Sequence, residues 1–207
     1  MRWLNLGTKV TLAGLLLLYA LRPELEQFGG KVMPLRAALF PVAAALVGLL
    51  WLCRGRPRPY PHLPDALVTL ATVVDFGGNA AGFYRYEYFD HGVHFVNMAI
   101  LATAFGLLIA NTVAPRWAKA GLVLGFGAVL HTIWEISEYW LAEAYGAALD
   151  VRAVTTIWDF TAGLIGTTIA ATLTYLWLWD RVDLGGRVFG SARDGSSRPE
   201  GRPHARR

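Results

Sequence analysis

Residues 117–144 read WAKAGLVLGFGAVLHTIWEISEYWLAEA, and this stretch decides the fold class. It is a mostly apolar run, longer than the roughly 20 residues that an α-helix needs to cross a bilayer. Comparable runs occur at 3–21, 36–53, 63–83, 92–113 and 156–179. We therefore expect an all-α, polytopic membrane bundle of about six transmembrane helices.

The composition supports a membrane protein with one folded domain and a polar tail. Apolar residues make up 55% of the 207 residues, and the single cysteine, Cys53, excludes an intramolecular disulfide or a CxxC site. The net charge of +4 arises in 181–207, which is rich in Gly, Ser, Pro and Arg. We predict a six-span transmembrane domain at 1–180 and a disordered basic cytoplasmic tail at 181–207. The tail lacks the elements that read nucleic acid, so membrane lipids are its expected partners.

Basic residues predict the orientation, because cytoplasmic loops carry an excess of Lys and Arg. They concentrate at 54–58, at 116–119 and in the tail, which places both termini inside the cell (N-in and C-in) and the protein in the inner (plasma) membrane. The first span, a basic start followed by VTLAGLLLLYAL, also resembles a signal peptide. No A-x-A cleavage site follows it, so we expect an uncleaved helix.

Ionisable and amide residues interrupt the apolar runs in the middle of the chain. A charge near the bilayer centre costs roughly 2.5 to 3.5 kcal/mol, so each needs a partner, water or a function. Many recur three or four residues apart and thus share a helix face. Counting about 1.5 Å of rise per residue places most of them in one layer of the outer leaflet, where we expect a polar cavity. The ten residues are Asp75, Asn79, Asp90, His91, His94, Asn97, His131, Glu135, Glu138 and Asp159.

Small residues four apart predict where helices approach closely. Gly121 and Gly125 form one such pair in the fifth span, and Ala162, Gly166 and Ala170 form a series in the sixth. We interpret both patterns as packing features.

Three interpretations of the polar residues remain open at this stage. In the first, the polar residues form a structural hydrogen-bond network, for example between His94 and Glu138. In the second, they form a metal site, because imidazole and carboxylate are ligands of zinc, iron and manganese. The third interpretation is a proton or ion pathway. Against this pathway, we see no polar residues that continue it through the inner leaflet: span two and the end of span six are apolar.

Three short motifs resemble the YjdF-like family of bacterial inner-membrane proteins. They are YFDHGVHF at 88–95, WEISEYW at 134–140 and TTIWDFTAGLIG at 155–166, in the family's order and approximate spacing. The resemblance implies shared roles for a set of residues: Asp90, His94, Phe95, Glu135, Glu138, Trp158 and Asp159. The family has further acids near its WD segment, where this chain has Thr156 and Gly163, whereas His91 and His131 are additional here. The resemblance thus implies an exchange of carboxylate ligands for imidazoles in this chain, and it leaves the activity open.

The favoured hypothesis is a metal-dependent membrane enzyme acting on a lipid or lipid-linked substrate. A divalent transition metal is the expected cofactor and a lipid-like small molecule the expected partner. We assign Glu138 as general base and Asp90 as the residue that orients His94. The alternative is a non-catalytic binding or scaffold protein whose polar cluster is structural. The predicted metal ligands are His91, His94, His131, Glu135 and Asp159.

Overall fold

The computed structural model describes residues 1–29, 32–56, 59–86, 88–110, 112, 115–145 and 152–178, and all regular structure within these residues is helical. Short 3₁₀ turns at Glu26–Phe28 and Phe83–Arg85 precede the second and fourth helices, and a π turn at Thr174–Leu178 follows the sixth. Each predicted span coincides with one helix. The helices are α1 (Arg2–Leu21), α2 (Met33–Cys53), α3 (His62–Ala80), α4 (Phe89–Ile109), α5 (Arg116–Tyr145) and α6 (Ala153–Leu173). The predicted tail at 181–207 lies outside the described residues.

Four of these helices, α1, α2, α4 and α5, are long and apolar enough to cross a membrane. The third helix is more polar, and its polar side chains lie on a face that its neighbours enclose. That face carries five buried polar side chains at i, i+4, i+7, i+10 and i+14: Asp65, Thr69, Thr72, Asp75 and Asn79. The chain is thus a multi-pass membrane bundle with α3 as a buried element, while its orientation stays a prediction.

The bundle consists of two packed groups of helices. In one group α3 packs against α1 and α2, in the other α6 packs against α4 and α5, and an extensive α3–α4 contact joins them. Gly166 of α6 lies so close to the Phe95 carbonyl oxygen of α4 that no side chain fits between the helices. The predicted small-residue packing is therefore present on α6. It is wrong for Gly121 and Gly125, which face no described atom within 4 Å.

A charge pair between a partly exposed lysine and a fully buried aspartate ties α1 into the bundle. The Lys9 ammonium lies 3.1 Å from Oδ1 of Asp65 and donates to the Ala44 carbonyl of α2 at 2.6 Å. Asn5 Nδ2 and the Tyr60 hydroxyl each donate to Oδ2 of Asp65 at 2.7 Å, and Asp65 is fully buried. Burial, with the Asp65 carboxylate beside it, raises the pKa of Tyr60, so its hydroxyl remains a donor. Without α1, the Asp65 carboxylate would be buried without its cation.

This charge pair corrects one step of the sequence interpretation. The half of the bundle opposite the predicted cavity is not free of polar groups, since Lys9 and Asp65 lie there. The hydroxyls of Thr69 and Thr72, which lie between Asp65 and Asp75, donate to the carbonyls of Asp65 and Thr69 on the same helix. They therefore add no direct link between the two carboxylates.

Candidate functional site

Six of the predicted site residues gather around the ring of His94, and we call them the His94 cluster. They come from the first turns of α4, the middle of α5 and the second turn of α6. In each helix the polar side chain lies on the face that packs against the other two. The members are Asp90, His91, His94, His131, Glu135 and Asp159.

Three buried ligand atoms converge on one side of the His94 ring. His94 Nδ1 lies 2.9 Å from His131 Nε2 and 3.3 Å from Glu135 Oε1, and the latter two atoms are 3.0 Å apart. The three side chains are 6%, 3% and 6% exposed. Oε1 of Glu135 is buried and accepts no hydrogen bond of acceptable geometry from any described residue. These atoms, which we call the buried triad, need a shared cation or proton to offset their mutual repulsion.

Two carboxylates lie on the other side of the same ring. Oδ1 of Asp90 is 3.6 Å and Oδ1 of Asp159 is 3.8 Å from His94 Nε2, beyond direct hydrogen-bond distance. The Asp159 oxygen is also 2.6 Å from Nδ1 of His91. The five predicted metal ligands therefore do not converge on one point; they form two groups that share His94.

Glycine creates the space that His131 occupies. A Cβ at Gly163 of α6 would collide with the imidazole ring of His131, whatever rotamer the new side chain adopted. A side chain at 163 and the observed placement of His131 therefore exclude each other.

A second polar group surrounds Arg36 of α2, and we call it the Arg36 group. The guanidinium forms ion pairs with Asp75 of α3 and, at 2.9 Å, with Glu138 of α5, and it stacks 5.1 Å from the Trp134 ring. Tyr84 donates to Asp75 at 3.0 Å. Burial and the Asp75 charge raise the pKa of Tyr84, so its hydroxyl stays protonated. Asn79 also donates to Asp75, at 3.2 Å.

The Arg36 group includes one predicted catalytic residue and one that sequence reasoning missed. Glu138 lies beside Arg36 and not beside His94, so the suggested His94–Glu138 pair does not form. The role of Glu138 as general base stays a prediction. Arg36 was missed because it is the first residue of the predicted span at 36–53, and a basic side chain at the end of a span normally extends into the membrane interface. Its position inside that span, in the first turn of a helix, was the available signal.

A cavity of about 1200 Å³ adjoins both groups. It occupies the space between α2 on one side and α4 and α5 on the other, which make little direct contact. Apolar side chains such as Leu46, Met98 and Leu101 line its length. At one end its wall is polar and includes Arg36, Asp75, Tyr84, His94 and Asn97. The buried amide oxygen of Asn97 has no hydrogen-bond partner among the described residues, which leaves an acceptor for a ligand there.

Comparison with known proteins identifies the family. No curated protein and no solved structure matches this chain. The family described as "Predicted membrane protein (DUF2238)" matches residues 5–180, which include all six helices almost entirely and every residue of the two polar groups. This agrees with the YjdF-like resemblance of the three motifs between 88 and 166. Because the match covers most of the sequence, the chain belongs to the predicted membrane protein family DUF2238.

Proposed function

We propose that this chain is a metal-dependent membrane enzyme that acts on a lipid or lipid-linked substrate. One observation carries the proposal: three buried ligand atoms converge beside the polar end of a long apolar cavity. Two imidazoles and one carboxylate with an open fourth position form a ligand set of catalytic zinc, and the same set holds non-haem iron. The sequence resemblance adds no known activity, so the chemistry of the site is the basis.

The spacing of the buried triad suits a metal ion. Ligands placed tetrahedrally at about 2.05 Å from a zinc ion would be separated from one another by about 3.3 Å. The three observed separations are 2.9, 3.0 and 3.3 Å. A small outward movement of His131 would therefore accommodate an ion. With His94 binding through Nδ1, its Nε2–H would face Asp90 and Asp159. Their oxygens, now 3.6 and 3.8 Å away, would have to move a few tenths of an ångström closer to hydrogen-bond the ring and orient it.

The cavity suits an amphiphilic substrate. Its volume of about 1200 Å³ exceeds the range of about 300 to 1,000 Å³ typical of small-molecule sites. The apolar length would accept a hydrocarbon chain, and the amide oxygen of Asn97 at the polar end offers a hydrogen-bond acceptor to a head group. A substrate seated in this way has its polar part next to His94.

The residues have distinct parts in this proposal. A bound metal would polarise the substrate and lower the pKa of a coordinated water. His94, His131 and Glu135 would hold the metal, whereas Asp90 and Asp159 would fix the His94 ring. Arg36, held by Asp75 and Trp134, would position the Glu138 carboxylate through their ion pair, and Glu138 would act as the general base.

Metal analysis of the purified full-length chain tests the proposal. After loading with Zn²⁺, Fe²⁺ or Mn²⁺ and removal of excess metal, we expect one ion per wild-type chain by mass spectrometry. Glu135→Ala and His131→Ala should retain less than about a tenth of that content. His62→Ala is the matched control, because His62 lies near the Lys9–Asp65 pair at the opposite end and should bind normally. Equal trace content in all four proteins would reject a metal site.

The scaffold alternative is supported by the other polar contacts. The Lys9–Asp65 pair and the Arg36 group satisfy charges between helices, as a structural network does. The two hypotheses differ in their response to a chelator. A metal ion whose free concentration is 100 times its dissociation constant stabilises the folded state by about 2.7 kcal/mol. A chelator should therefore lower the melting temperature. An unchanged melting temperature, with destabilised His131→Ala protein, would favour the scaffold.

A further inference from the structure

His91 and Asp90 form a partly exposed extension of the His94 cluster and are not ligands of the resident metal in the proposed function. His91 precedes His94 by three residues on α4, and its Nδ1 reaches Asp159 at 2.6 Å. Ligand atoms of Asp90, His94 and Asp159 lie within 4.8 Å of one another. We call Asp90, His91 and Asp159 the rim set, because they lie on the Nε2 side of His94, opposite the buried triad.

Exposure falls stepwise from the rim set to the buried triad. The exposed side-chain fraction is 30% for Asp90, 19% for His91 and 7% for Asp159. It is 6% for His94 and 3% for His131. The two most exposed residues lie in the first turn of α4, whereas His131 and Glu135 lie well inside α5. An ion that reaches the buried triad from this end of the bundle would meet the rim set first.

The ring of His94 is shared between the two ligand groups. A neutral imidazole has one nitrogen lone pair available, so His94 binds a cation through Nδ1 or through Nε2 but not through both. The two groups are therefore alternative positions for one ion. His94 carries one proton in either case: on Nδ1 when the ion is at the rim, and on Nε2 when the ion is in the buried triad.

We propose that the rim set is a loading site, which captures a divalent cation and passes it to the buried triad through His94. Two carboxylates and the partly exposed imidazole of His91 provide charge and ligands for an ion that still retains part of its water shell. The buried triad, with a single carboxylate and little exposure, completes the dehydration. This inference rests on the proposed function, since it requires that the buried triad binds a metal.

The rate of metal uptake tests this proposal separately from the final metal content. Metal-free, full-length protein in detergent is mixed with Co²⁺, and uptake is followed by visible absorption. We expect Asp90→Asn and His91→Gln to take up Co²⁺ about tenfold more slowly than wild type, the lower range of electrostatic steering effects. The final content of His91→Gln should remain one ion per chain, whereas Asp90→Asn also loses a carboxylate that fixes the His94 ring and is compared with wild type by its rate alone. Asp90→Glu, which keeps a carboxylate, should recover most of the rate.

The matched control is Glu143→Gln, which removes an exposed carboxylate from the end of α5 without touching the cluster. Its uptake rate should equal that of wild type. Wild-type rates in both rim variants, with normal wild-type binding, would overturn the loading site alone. Loss of the final content in both rim variants would also overturn it, since the rim would then hold the resident ion. Absence of Co²⁺ from wild type would instead reject the proposed function.

Discussion

Ion pairs between helices, each with a buried carboxylate, hold this bundle together. The Lys9–Asp65 pair, which joins α1 to α3, is one of them. Replacing Lys9 with Met leaves Asp65 fully buried without a cation. Removal of one partner of a fully buried ion pair costs about 3 to 5 kcal/mol. Because the Lys9 side chain is 37% exposed, we expect a smaller destabilisation, about 1 to 3 kcal/mol, for Lys9→Met. Denaturant unfolding in detergent measures it.

The control for this prediction is a pair on the surface. Arg22 and Glu24 also form an ion pair, but their side chains are 58% and 62% exposed. Arg22→Met should leave the unfolding midpoint unchanged, because solvent screens exposed pairs. The double variant Lys9→Met with Asp65→Asn should recover part of the stability, since it carries no uncompensated charge. Equal midpoints for wild type and Lys9→Met would contradict the structural role of the pair.

Residue spacing predicted part of the site and could not predict the rest. The stripe of His131, Glu135 and Glu138 is visible in the sequence because these positions share a helix face. However, each residue rotates the helix by about 100°. Glu138, three residues after Glu135, is therefore about 60° short of a full turn from it around the helix axis. That offset is enough to direct Glu135 to His94 and Glu138 to Arg36. The partners of Arg36 lie 39 and 102 residues away, and no local pattern connects them.

At the scale of the helices, close contact between α5 and α6 positions the buried triad. Gly163→Ala adds a methyl group where the His131 ring lies, so the imidazole must rotate away. We expect this variant to fold and to lose at least about nine tenths of its metal content, although no ligand is replaced. Gly125→Ala is the matched control, because its Cβ meets no described atom within 4 Å. Mass spectrometry of both proteins after loading measures the difference, and a normal metal content in Gly163→Ala would contradict it.

The same two helices show what a sequence motif leaves undetermined. Apolar length was enough to predict every helix, because membrane thickness sets a minimum length for each span. Small residues four apart occur on both helices, but they face a neighbour on α6 and open space at Gly121 and Gly125. The spacing of small residues predicts a groove on the helix surface, but it does not predict which helix packs against that groove. The identity of neighbouring helices depends on contacts distant in sequence.

At the scale of the whole molecule, the surface is that of a bundle surrounded by lipid. Large apolar side chains are exposed along the outer faces of α1, α2, α5 and α6, whereas α4 exposes only Val96 and α3 exposes none among the described residues. Exposed Trp3 and Trp117 lie at the start of α1 and α5, whereas Tyr88 and Trp140 lie toward the opposite end. Aromatic side chains at both ends are typical of the two membrane interfaces. The His94 cluster lies nearer to the end marked by Tyr88.

The orientation of the bundle decides which side of the membrane supplies the metal and the substrate head group. Basic residues at 54–58 predict that the end marked by Trp3 is cytoplasmic, which places the rim set toward the exterior. Single cysteines at Arg56 and Tyr88, both exposed, test this in a Cys53→Ala background, because Cys53 is itself exposed. In intact cells an impermeant maleimide should label position 88 and should reach position 56 only after permeabilisation. The reverse result would place the rim set and the polar end of the cavity on the cytoplasmic side, and metal loading would then draw on the cell's internal pool.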